Sequence, residues 1–135
     1  MRVLAIDYGD ARTGLAFSDL TRTMTGDAYT IPTQSMTKAA MKIAELVKEN
    51  GVDTLVLGYP LNMDGTEGPR AEKSRVMAEK LKEFTGLEVT LWDERWTTVS
   101  AHEILTQVGK HGKKRKEKVD AVAASLILEG YLSRS

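Results

Sequence analysis

Acidic residues stand at the ends of three mostly apolar runs in this chain: Asp7 after Val3-Leu4-Ala5-Ile6, Asn62-Met63-Asp64 beyond the run Asp53 to Gly58, and Asp93-Glu94 after Leu87 to Trp92. Asp120 opens a later helical pattern. If the runs are parallel strands of an open α/β sheet, these groups share one edge beyond the carboxyl ends, where ligands collect. Asp120 would join them from the start of a helix, where the dipole favours negative charge. Like charges about 4 Å apart repel by roughly 4 kcal/mol at an effective dielectric near 20, so converging carboxylates need a counter-charge. The chain has no cysteine, and oxygen ligands alone suit Mg²⁺ or Mn²⁺. Two such ions about 3.5–4 Å apart can activate a water and stabilise the leaving oxygen in phosphodiester hydrolysis. Each acid taken singly has a plainer reading: Asp7 caps its turn, Asp93-Glu94-Arg95 makes a surface ion pair and a helix cap, and Asp120 caps a helix. Parity along the strand does not separate Asp93 from Glu94, because a one-residue slip exchanges faces; Glu94 is preferred, with Asp93 a close second.

Candidate contacts for a polyanion surround these acids. Arg12, Arg70 and Arg95 can each hold a backbone phosphate in a bidentate contact, or else a fold-stabilising ion pair. Asn62 either positions its loop or meets a nucleotide. Lys110, Lys113, Lys114, Arg115, Lys116 and Lys118 crowd one short segment, which suits phosphate contacts or a solvated loop equally well. His102 and His111 show no metal-ligand spacing. Trp92 and Trp96 can stack on bases, although aromatic residues beside a buried strand more often belong to the core.

The elements that must position these residues follow from periodicity and punctuation. Val3 to Ile6, apolar without alternation, reads as a central strand covered on both faces. Gly9 allows a turn or a close approach, and Thr13 to Ser18 returns as an antiparallel strand. Ala28 to Ile31 is the best third strand. Ser35 caps a helix over Met36 to Asn50 with Ala40, Ile43, Ala44 and Val47 buried, and Gly51 ends it. Asp53 to Gly58 is an interior strand, and Tyr59 to Pro69 a loop. Glu72 to Phe84 forms a helix burying Met77, Leu81 and Phe84, closed by Gly86. Leu87 to Trp92 alternates as a strand, Thr97 or Thr98 caps a helix with Ala101, Ile104, Leu105 and Val108, and a last helix from about Lys118 buries Val119, Val122, Ala123, Leu126 and Ile127.

Length and composition set the bounds. A chain of 135 residues makes one domain, residues 1–135, with a single core. Lys+Arg and Asp+Glu both number 19, so net charge gives no global argument for nucleic acid. No run approaches the roughly 20 apolar residues of a membrane span, and no apolar leader follows a basic start. A cytoplasmic location without membrane attachment is expected.

Four blocks resemble the YqgF family, also called RuvX: Asp7-Tyr8-Gly9 with Arg12-Thr13-Gly14 and Ser18-Asp19; Gly58-Tyr59-Pro60-Leu61-Asn62-Met63-Asp64-Gly65; Asp93-Glu94-Arg95-Trp96-Thr97-Thr98; and Val119-Asp120 with Ala123-Ala124. They run in the family's order over essentially the whole chain. The resemblance implies a ribonuclease H-like three-layer α/β fold, with a mixed central sheet of about five strands flanked by helices. It also implies a nuclease, acting either on the 5′ end of pre-16S ribosomal RNA or on Holliday junctions. It carries the catalytic carboxylates onto Asp7, the Asp93-Glu94 pair and Asp120, with Asp7, Glu94 and Asp120 as metal ligands. Arg12, Asn62, Arg70, Arg95, Lys113, Lys114 and Arg115 are then the nucleic-acid candidates. The family usually has Gly where Tyr59 stands and an aliphatic residue where Trp96 stands. A metal-dependent endonuclease acting on ribosomal RNA precursors, alone or within precursor particles and as monomer or homodimer, is the leading expectation. A resolvase of branched DNA would work as a symmetric dimer, and a non-catalytic module docking on ribosome precursors would need no divalent ion. Phosphoryl transfer from ATP, suggested by Asp-x-Gly in sugar kinases and actin, lacks room for a second lobe.

Overall fold

A computed structural model describes residues 2–19, 25–62, 64–93 and 112–133, with the backbone alone for 25 and 112–120. Five strands form one sheet in the order β3-β2-β1-β4-β5: β1 Arg2–Asp7, β2 Arg12–Ser18, β3 Thr25–Pro32, β4 Val52–Tyr59 and β5 Val89–Asp93. β2 is antiparallel to β1 and to β3, whereas β4 and β5 run parallel to β1. Helices α1 (Met36–Asn50) and α2 (Pro69–Thr85) cover one face, and α3 (Gly112–Ser133) covers the other. Val3, Leu4, Ala5 and Ile6 are wholly buried in the middle strand, as their unbroken apolar run requires.

Alternation sorts the core into two layers. Leu4, Ile6, Leu15, Phe17, Leu55 and Leu57 pack with Ile43, Val47, Met77 and Leu81 on the α1/α2 side. Val3, Ala5, Ala16 and Val56 pack with Ala124, Ile127, Leu128 and Tyr131 on the α3 side. α1 has the expected ends: the Lys38 amide donates to Ser35 Oγ at 3.1 Å, and Gly51 closes the helix at φ 64°. Gly86 ends α2 in the same left-handed conformation, φ 74°.

Three expectations need correction. α2 begins at Pro69 rather than Glu72, because proline at the first helical position lacks only an N–H that would go unused. Phe84, expected in the core, is 38% exposed: the helix ends one residue later, and the ring flanks a shallow cleft with Met41, Ala44 and Val47 instead. The last helix starts near Gly112, so residues 112–118 of the basic segment are helical rather than a loop. Its buried residues are Ala124, Ile127, Leu128 and Tyr131, while Val122, Ala123 and Leu126 are half-buried. Val119 lies where the backbone alone is described.

Ser18 repairs a fault in the central strand. The β1–β4 register shifts between Arg2 and Val3, and the Val3 amide donates to Ser18 Oγ at 2.9 Å. That hydroxyl in turn donates to the Asp19 carbonyl at 3.0 Å, and Ser18 is 1% exposed. Ser18→Ala strands a buried amide, so urea unfolding should show a loss of about 1–3 kcal/mol with an unchanged denaturant slope. A loss below about 0.5 kcal/mol would mean that another acceptor or water takes over.

Candidate active site

The parallel strands end at one edge. β1 ends at Asp7, β4 at Tyr59 and β5 at Asp93, with Ile6 paired to Leu57, Gly58 to Trp92 and Tyr59 to Asp93. β2 starts at this edge because it is antiparallel, with Gly14 paired to Asp7. The β1–β4 register, carried one residue beyond Ile6 and Leu57, sets Asp7 level with Gly58. Asp7 is thus flanked on both neighbouring strands by residues without side chains. Its half-buried carboxylate stands in a notch, on the side of Val3 and Ala5 that α3 covers.

Alternation separates the neighbouring candidates. Arg12, in step with Gly14 and Ala16, shares the Asp7 face one diagonal away. Asp93 does not. Val89 packs on the α1/α2 side and Trp92 on the α3 side, so Asp93 falls in step with Val89, on the face opposite Asp7. It pairs there with Tyr59, whose hydroxyl donates to Glu67. That bond, above all, holds the Tyr59 phenol above its ordinary range. Glu67 also accepts from Arg75 Nε at 3.0 Å, which fastens the loop after β4 to α2. Position 120 lies on α3, one helical turn before buried Ala124. Glu94 and Arg95 lie outside the described residues, as do Lys110, Trp96, His102 and His111, and the predicted helix following Thr98. Among the described residues no three His, Asp or Glu side chains gather closely enough to hold a metal.

Asn62 and Arg70 belong to the loop and helix of the other layer. The Asn62 side-chain amide donates to Thr66 Oγ1 at 3.0 Å and its backbone N–H to the Thr66 carbonyl at 2.9 Å. Thr66 caps the turn further by donating to Asp64 Oδ1 from both its amide and its hydroxyl. Arg70 is exposed in the first turn of α2. Trp92 is half-buried against the core: its ring meets Tyr131 edge-on at 6.4 Å and lies against Gly130. Lys113, Lys114 and Arg115 stand on the first turn of α3.

The turn between Asp7 and Arg12 is fixed from several sides. A Cβ on Gly9 would collide with the Arg12 carbonyl oxygen, so the close approach anticipated there is real. Asp10 accepts from Lys73 of α2 at 2.9 Å. Burial chiefly, and Asp10 secondarily, raise the Tyr8 phenol above its ordinary range. Thr33 donates its hydroxyl to the Gly9 carbonyl at 2.6 Å. Sequence reading passed over Thr33, whose only signal is a polar residue closing an apolar strand just before a helix cap.

A mixed sheet in this strand order with helices on both faces defines the ribonuclease H-like fold. The chain belongs to the RuvX family: the family model, described as Holliday junction resolvase, matches residues 1–134. That membership makes it a hydrolase of phosphodiester bonds. It is 42% identical over 135 residues, 99% of this chain and 95% of the relative, to a protein of Ruminiclostridium cellulolyticum named as a candidate pre-16S rRNA nuclease. A relative of the same name from Acetivibrio thermocellus is 45% identical over 134 residues, 98% of this chain and 95% of its own. In fold, the chain resembles Thermus thermophilus RuvC in complex with a Holliday junction substrate. The TM-score is 0.64 at 10% identity, covering 100% of this chain and 98% of that one.

Proposed function

We propose that this nuclease cuts structured RNA, with the 5′ region of the 16S ribosomal RNA precursor as its substrate, by a reaction that depends on a divalent cation. The names of the relatives support the RNA substrate, and the observation that carries the reading of the site is the placement of Asp7, a carboxylate ending the central strand between two bare glycine rows on the face that α3 covers. The donor set fits a hard cation, Mg²⁺ or Mn²⁺, because every candidate ligand is a carboxylate. Asp7, Glu94 and Asp120 are its proposed holders. When bound, the ion supplies activation of the attacking water and neutralises charge on the reacting phosphate. Glu94 stands beside Asp93 in sequence and is the carboxylate of the pair we assign to the ion. Asp93 is left to the opposite face. Arg12, beside Asp7, grips a substrate phosphate, while Lys113, Lys114, Arg115 and Arg95 hold the rest of the strand. Asn62 and Arg70 meet the strand where it leaves the edge over α2. Among the described residues no helix is long and apolar enough to cross a membrane. We place the protein with ribosomal precursor particles in the cytoplasm, as a monomer or a homodimer.

A second reading, resolution of four-way DNA junctions by a homodimer, is favoured by the description of the family model. End-labelled RNA spanning the pre-16S 5′ region, run beside a four-way DNA junction with Mn²⁺ or EDTA, separates the two. Metal-dependent cutting of the RNA alone supports the first reading; cutting of the junction alone transfers the assignment to the second. RNA bound equally well in EDTA with neither substrate cut would leave a docking module without catalysis.

A further inference from the structure

Thr33 carries more of the Asp7 turn than its place outside every motif suggests. The Gly9 carbonyl can only accept, so the 2.6 Å bond uses the single hydroxyl proton of Thr33. The 2.8 Å contact between Thr13 Oγ1 and Thr33 Oγ1 must therefore run from Thr13 to Thr33. The result is a directed relay from Thr13 through Thr33 to the Gly9 carbonyl. Both threonines are sealed from solvent, at 0% and 1% exposure. The Thr33 amide adds a second tie, donating to the Ala11 carbonyl at 3.1 Å. One residue thus holds two carbonyls of the turn that follows Asp7, and Gly9 has no slack against the Arg12 carbonyl. The next residue, Gln34, adopts φ 56°, the left-handed region that residues other than glycine rarely enter. Ser35 then caps α1. A strained residue kept between a buried relay and a helix cap marks a position held for what it places rather than for comfort.

We propose that Thr33 is a positioning residue for catalysis: through the Gly9 and Ala11 carbonyls it sets the strand end from which Asp7 reaches the reacting phosphate. The proposal rests on the reading of Asp7 as a catalytic carboxylate. Thr33→Val keeps the shape of the side chain and removes the hydroxyl, whereas Thr33→Ser keeps the hydroxyl. Displacing a reacting group by an ångström costs up to about a hundredfold in rate. Thr33→Val should lower kcat by about tenfold while KM stays within about twofold, and Thr33→Ser should restore kcat to within about twofold of the parent. The assay uses whichever substrate the full-length parent cuts, at a temperature where each variant is folded by circular dichroism, with Asp7→Asn alongside. An unchanged kcat in Thr33→Val while Asp7→Asn is inactive overturns the positioning role and leaves the site reading standing. A change confined to KM, or no rescue by serine, also overturns it. Should Asp7→Asn cut at the parent rate, both ideas fall together. If Thr33→Val does not fold, Thr13→Val decides: it unties the relay upstream of Gly9, and kcat should drop by about threefold, whereas an undiminished kcat overturns the proposal.

Discussion

Asp7→Asn should lose phosphodiester cleavage by about a hundredfold or more while the protein stays folded. A carboxylate and a dication about 4 Å apart attract by roughly 8 kcal/mol at an effective dielectric near 20. Retaining a third of that, after the ion's hydration is replaced, already corresponds to about a hundredfold in rate. Asparagine keeps the shape and removes the charge, so the loss reports charge rather than packing. The same substitution should not weaken the fold when divalent ions are absent. Asp7 is half-buried beside two glycine rows, and in the proposed site, where it is grouped with Glu94 and Asp120, neutralising one of three carboxylates relieves repulsion. In EDTA the thermal midpoint of Asp7→Asn should equal or exceed that of the parent. Adding Mn²⁺ should raise the midpoint of the parent and leave the variant where it was, because a ligand stabilises only the state that binds it. A marked fall of the midpoint in EDTA would return Asp7 to the role of a turn cap. Full activity in the variant would remove it from the chemistry.

The parts of this fold that could be read in advance are those governed by neighbours in sequence. Val3 to Ile6 has no polar alternation because α1 and α2 cover one side of β1 and α3 the other. Ser35 and Gly51 frame α1 because both caps act within a turn of the helix they end. Distant partners decided the rest. The α3 segment is apolar nearly all round, from Val122 and Ala123 to Ile127 and Leu128, so periodicity leaves its buried stripe open. Contact with Val3, Ala5 and Val56 selects the row ending at Tyr131. Phe84 has the right spacing for the core, but α2 ends beside it. Thr33 acquires its role only because β3 returns beside the Asp7 turn. The acids of the proposed site were legible as a set of residue types, but the face a strand residue occupies depends on a register that local pattern does not contain.

That register leads to a paired expectation at the end of β5. The pairing of Leu55 with Val89, Leu57 with Leu91 and Tyr59 with Asp93 keeps one unbroken alternation along the strand. Val89 lies in the α1/α2 layer and Trp92 in the α3 layer. Asp93 is in step with Val89 and so away from the face of Asp7, which leaves Glu94 as the carboxylate of the pair in the proposed site. Glu94→Gln should therefore cost about a hundredfold in kcat, comparable to Asp7→Asn, for the same electrostatic reason. Asp93→Asn should stay within about threefold of the parent in kcat, because its carboxylate stands behind the sheet from the reacting phosphate. The two substitutions are chemically alike and one residue apart, so a general sensitivity of the strand end would depress both. The reverse result, with Asp93→Asn inactive and Glu94→Gln active, would require an extra residue at the end of β5, a bulge that turns Asp93 through the sheet. Measuring kcat for both variants on one substrate distinguishes an alternating strand end from a bulged one, and assigns the second carboxylate by the face it occupies.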